Sequence, residues 1–172
     1  SGMEDYKGMG GREKAPRLKA KSKDYLAVYP MGDPHLGMYA WGEESGDDFD
    51  LDIAERNLVE ASHRLIDTLP DSETAIILNL GDFFHSDNMS NQTARSGNPL
   101  DVDTRWGRVF QVGIQSMIRI IDLARAKHKR VIVKNLIGNH DDHTSVALAW
   151  ALWCWFDKDP RVQIETQPAK FW

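Results

Sequence analysis

From Asp24 onward the apolar residues come in two rhythms: short continuous runs, and longer stretches that step by three and four. Runs within Asp24–Tyr29, Thr74–Leu80 and Arg130–Leu136 have the length and weak polar alternation of strands buried in a sheet. Between Asp50 and Asp67 the positions Leu51, Ala54, Leu58, Ala61 and Leu65 predict one face of a helix, which Pro70 stops. From Asp103 to His128 the same spacing in Trp106, Phe110, Ile114, Met117, Ile121 and Ala124 predicts a long helix, with Asp103 as its N-cap. Ser145–Phe156 reads as an aromatic-rich third helix, and Val162–Ile164 as a short closing strand. Strands alternating with helices imply an α/β fold with right-handed parallel crossovers and loops gathered at the C-terminal strand edge. Two connections are polar: a Gly-rich one, Pro30–Asp48, and a long one, Ser86–Asp101, whose length suggests a functional surface.

Composition narrows this to one core. A chain of 172 residues with 41% hydrophobic and 27% charged residues can bury a single domain and is neither disordered nor membrane-like. The longest apolar run, Val146–Phe156, is well short of the ~20 residues needed to span a bilayer, so it predicts a buried helix and no membrane partner. The formal charge of -5 is uneven, because residues 1–23 carry seven Lys/Arg against three Asp/Glu. The expectation is a flexible basic leader over 1–23, with Ser1-Gly2 resembling a tag remnant, and an acidic domain over 24–172. An acidic body argues against gripping nucleic acid by charge alone. With Cys154 the sole cysteine and no apolar segment before Lys23, a reducing, cytoplasmic setting is expected.

Each of the first three strands runs into a polar cluster. Asp33 and His35, two apart in an extended loop entry, project to the same side and suit one cation, although Asp-Pro-His is also a common turn. Asp82 follows Gly81, where a short carboxylate can bridge two cations or simply cap a turn. Asn139, His140 and Asp141 offer a neutral oxygen ligand, a proton donor and a carboxylate able to orient the imidazole, against the plainer reading of a Gly-Asn turn. Three such clusters, each at a strand end, make coincidence a poor account. His63 and His128 are expected as solvated helix residues, His143 as a helix-start residue near the third cluster, and Trp150, Trp153 and Trp155 as core.

Asp33-Pro34-His35, Gly81-Asp82-Phe83-Phe84-His85 and Gly138-Asn139-His140-Asp141 resemble the first three signatures of the calcineurin-like metallophosphoesterases. The order matches, and spacings of 49 residues (Asp33 to Asp82) and 57 (Asp82 to Asn139) leave room for a helix in each gap. With His85 three after the aspartate, the pattern is more similar to the DNA-repair exonuclease branch and to phage-encoded relatives. The resemblance implies an αββα sandwich, of which this chain supplies the first βαβαβ half. It also implies a nuclease-like hydrolase acting on phosphodiester bonds, most naturally in DNA. Two divalent cations, Mn²⁺ by preference with Fe or Zn²⁺ as alternatives, would sit on Asp33, His35, Asp82 and Asn139. The catalytic roles would fall to His140, to Asp141 holding it, and to His85 on the substrate phosphate.

The pattern is also departed from. The family completes its metal shells with later histidines, including a Gly-His-X-His segment, and no histidine follows His143. The second site is therefore incomplete, and the expectation is an N-terminal portion of a longer protein, or a chain completed by a homo-oligomer. The competing expectation is a degenerate, non-catalytic module that binds nucleic acid or a protein partner.

Overall fold

In the computed structural model, residues 22–93 and 96–167 are described; the leader expected over 1–23 lies almost wholly outside them. The elements run β1 (Ser22–Met31), α1 (Gly42–Ser45), α2 (Leu51–Thr68), β2 (Ser72–Asn79), α3 (Trp106–Lys127), β3 (Arg130–Asn135), α4 (Thr144–Phe156) and β4 (Val162–Ile164). All four strands are parallel in one sheet of order β1-β2-β3-β4, so the chain is α/β. Because each crossover advances one strand in the same sense, the long helices collect on one face: α2 packs against α3, and α3 against α4.

Strand register explains the core. Ala27, Ala75 and Val131 lie in one cross-strand row, and Tyr29, Ile77 and Val133 in the next; all are buried under the helices. Met117, Ile118 and Ile121 of α3 descend on these rows, flanked by Leu51 and Ile66 of α2 and by Leu148, Leu152 and Phe156 of α4. Each such side chain contributes about 1.5–3 kcal/mol when fully buried. The alternate strand positions Leu26, Val28, Leu78 and Ile132 point to the face opposite α2, α3 and α4, where Leu26 remains 54% exposed.

Four sequence expectations are corrected. The buried stripe of α2 is Leu51, Ala54, Ser62 and Ile66, with Ala61 and Leu65 exposed. The expected stripe kept a 3.5-residue period, which drifts about 20° per heptad from a straight α-helix, so by the second heptad it has left the core. Asp103 does not cap α3, which starts after Arg105; its carboxylate instead accepts from Leu51 N at 3.3 Å, at the start of α2. On α4, Trp150 and Trp153 are exposed, because only one side of a helix at the edge of its layer can reach the sheet; Trp155 packs against the core as expected.

His128 is the fourth. It is fully buried at the C-terminus of α3, whereas His63 is exposed beside Asp67 as expected. The His128 Nδ1 faces the Ser72 carbonyl at 3.0 Å and so carries the proton, while Nε2 accepts from the Tyr29 hydroxyl at 2.7 Å. Burial, with a smaller effect from Asp71, pushes the Tyr29 phenol up to about 12, keeping it a donor. Arg161 fastens β4 to the same helix end by donating to the Arg125, His128 and Lys129 carbonyls. Tyr29→Phe removes a buried donor from the imidazole, so urea denaturation is expected to register a loss of about 1–2 kcal/mol. An unchanged midpoint would mean that this bond contributes nothing net.

Candidate metal centre

The site is built where β1, β2 and β3 end. The ladder runs one residue past the strands, with Leu80 N donating to Met31 O at 2.8 Å and Leu136 N to Asn79 O at 3.0 Å. Beneath it two buried carboxamides meet: Asn79 Nδ2 donates to Asn135 Oδ1 at 2.6 Å, and Asn135 Nδ2 to Ser145 O at 2.8 Å. Asn79 Oδ1 accepts from Gly81 N at 3.3 Å, so the pair holds the roots of the second and third loops. Asn79 interrupts the otherwise apolar run from Ala75 to Leu80, but nothing local in the sequence gives its role.

Above this floor the loops zip together. His35 N and Leu36 N donate to Asp82 O and Phe83 O at 3.1 and 2.9 Å, and His85 N returns a bond to Leu36 O at 3.0 Å. Asp82 Oδ1 accepts from His140 N at 2.8 Å, tying the second loop to the third. Gly81 and Gly138 permit this approach: a Cβ on Gly138 would stand 2.0 Å from Asp82 Oδ1, and one on Gly81 3.0 Å from Gly138 Cα. Four non-glycine residues among those described have left-handed backbone; three are Asp33, His35 and Asp82, at φ 48°, 45° and 48°, and the other is Asn91. Such backbone costs roughly 1–3 kcal/mol per residue and persists where the surroundings over-determine it, commonly at ligand-binding sites.

The ligand atoms of Asp33, His35 and Asp82 lie within 4.8 Å of one another, and so do those of His35, His85 and His140. The cluster could therefore hold a metal ion, with His35 common to both groups. Asn139 is exposed and lines an open cleft of about 360 Å³ together with Asp33, Gly81 and Asp82. His85 is buried; its Nδ1 lies 3.2 Å from His35 Nδ1, and its ring stacks on His140 with centroids 5.3 Å apart. Burial, then the neighbouring His35 and His140, hold the His85 imidazole down at about 4. Burial and His140 also lower His35, against the nearby carboxylates. Neutral imidazoles keep the lone pairs that a metal needs.

The role expected of Asp141 changes. It is fully buried, and its carboxylate accepts from Phe84 N at 3.2 Å and Gly138 N at 3.1 Å, bracing two loops. Burial raises its pKa, opposed by those amides. The His140 ring is held elsewhere, Nδ1 donating to the His85 carbonyl at 2.8 Å, because Asp141 is already turned inward to the loop amides. Sequence reasoning missed Asp87, a buried carboxylate at the start of α4. It accepts from the His143 and Thr144 amides and, at 2.5 Å, from His143 Nδ1. Burial alone would raise Asp87, but the Thr144 and His143 hydrogen bonds outweigh it and lower its pKa, while the Asp87 bond raises exposed His143. The Asp87-to-His143 separation hid this cap from any local pattern.

Searches against protein-family models, curated proteins and solved structures found no match to this chain.

Gly138→Ala is expected to force the second and third loops apart, costing roughly 1–3 kcal/mol in denaturant unfolding and weakening divalent-cation binding by calorimetry. An acid titration of the metal-free protein offers a second check. With His85 held at about 4 when folded against 6.5 when unfolded, its contribution to stability is complete above pH 6.5 and is lost as pH falls toward 4. Denaturant midpoints should decline across that window for the native sequence and decline less for His85→Gln; equal slopes would contradict the assignment.

Proposed function

We propose that this chain hydrolyses phosphodiester bonds with the help of divalent cations, as part of a calcineurin-like metallophosphoesterase acting on DNA. The observation that carries the reading is the meeting of Asp33, His35 and Asp82, each on left-handed backbone, at one end of a parallel sheet. A one-oxygen, one-nitrogen, one-oxygen donor set fits Mn²⁺, Fe or Zn²⁺, and Asn139 on the rim of the same cleft is the natural oxygen for a second ion. When bound, the cations would supply Lewis-acid polarisation of the phosphoryl group and lower the pKa of an attacking water.

The chain's own groups divide the remaining work. Asp82 accepts from the His140 amide through Oδ1, so the carboxylate that would hold the cation also anchors the third loop. His140, fixed at Nδ1 by the His85 carbonyl, keeps Nε2 for the leaving oxygen or the charge developing on the phosphoryl oxygens. His85 backs His35 and His140 and favours a neutral, donor-competent site. Asp141 acts on chemistry through the loop amides it braces.

Two further features support DNA and the wider architecture. A groove of about 500 Å³ along Met89, Asn91, Val102, Asp103, Arg105 and Trp106 sets a guanidinium, a carboxylate and an indole stacked on Phe110 beside the connection that begins at Ser86. A cation and an aromatic face are what a nucleotide chain needs for backbone and base contacts. The apolar face carrying Leu26, Val28 and Ile132 suits a second sheet, as in an αββα sandwich. With Mn²⁺ and bis(p-nitrophenyl) phosphate, slow turnover is expected, reduced at least a hundredfold in Asp82→Asn. Turnover that survives this substitution would place the activity away from this centre, and none with any divalent metal would argue for a non-catalytic module.

A further inference from the structure

We propose that His35, His85 and His140 form a second metal site, suited to Zn²⁺, which overlaps the carboxylate site and excludes its ion. The proposal rests on the phosphodiesterase reading only for its consequence, not for its geometry. The ligand atoms of these three rings lie within 4.8 Å of one another, and His35 belongs equally to the group with Asp33 and Asp82. A neutral imidazole has one nitrogen lone pair to give, so the His35 ring serves one ion at a time.

The His35–His85 spacing fits tetrahedral coordination by nitrogen. Ligands about 2.0–2.1 Å from Zn²⁺ at tetrahedral angles are roughly 3.3–3.4 Å apart. His35 Nδ1 and His85 Nδ1 are 3.2 Å apart. His140 carries the arrangement that ligating imidazoles use, Nδ1 donating to a backbone carbonyl at 2.8 Å and Nε2 holding the lone pair. The His35 and His140 rings meet edge to face at 4.9 Å, which keeps both nitrogens in reach of one centre.

The two donor sets differ in softness. An all-imidazole set selects Zn²⁺ or Cu²⁺ over Mn²⁺ or Mg²⁺, whereas the set with Asp33 and Asp82 accepts the harder ions. Filling the imidazole site withdraws His35 from the carboxylate ion and occupies the His140 nitrogen reserved for the leaving oxygen. Zn²⁺ would thus act as an off-switch for a Mn²⁺-dependent reaction, through ligand competition within one cluster.

Co²⁺ reports on this directly, since tetrahedral coordination gives an intense visible absorption that Zn²⁺ abolishes by displacement. The native protein and Asp33→Asn should both show the band; His85→Gln and His140→Ala should each weaken binding at least tenfold. Separately, Zn²⁺ added to Mn²⁺-loaded protein should release free Mn²⁺, seen by electron paramagnetic resonance, at tenfold or more lower concentration than in either histidine variant. Loss of the band in Asp33→Asn, its persistence in both folded histidine variants, or no tetrahedral band at all would overturn the proposal. A hydrogen bond between His35 and His85 that leaves no room for an ion gives the last of these results. None of the readouts requires turnover, so failure of the phosphodiesterase reading leaves this test intact.

Discussion

Everything at this site depends on how closely the second and third loops can approach. Gly81 and Gly138 place backbone against backbone where any side chain would collide with the Asp82 carboxylate or with the neighbouring main chain. Only because of that approach can Asp82 Oδ1 reach the His140 amide, and only then do the first and third loops face a shared cleft. Left-handed backbone at Asp33, His35 and Asp82 is the cost of the arrangement, offset by the hydrogen bonds that zip the first loop to the second.

The sheet explains why these loops meet. Parallel strands in sequential order deliver consecutive loops to the same edge, while the long crossover helices pack side by side, α2 on α3 and α3 on α4. The Asn79–Asn135 pair turns that general placement into a specific one, because two buried carboxamides must satisfy each other or leave polar atoms stranded in the core. Asp87 does the comparable service for α4, satisfying amides at the helix start from the connection that follows β2. The acidic and imidazole groups of the cleft are therefore held by a frame of buried amides.

The metal question turns on how many rings and carboxylates can share one ion. Carboxylate oxygens on one side and imidazole nitrogens on the other give the cluster two coordination characters within a few ångströms, joined at His35. Burial keeps His35 and His85 from protonating near neutrality, so competition there is between cations more than between cations and protons. No described helix is long and apolar enough to cross a membrane.

Local patterns in the chain carried the order of the strands and the three longer helices, though not the short α1 within Pro30–Asp48, and the three polar clusters, because periodicity and turn chemistry act over a few residues. They also marked Asp33, His35, Asp82, Asn139 and His140 as ligand-bearing types at strand ends. What depended on contacts between distant segments was decided only in three dimensions. Burial of His128 required Tyr29 and Ser72 from other strands, and Asp103 was drawn to α2 rather than to its own helix. Asp141 turned inward because the Phe84 and Gly138 amides needed an acceptor, leaving the His85 carbonyl to orient His140. Trp150 and Trp153 face outward because a sequence can state that a helix is apolar all round, while only packing determines which side has a neighbour.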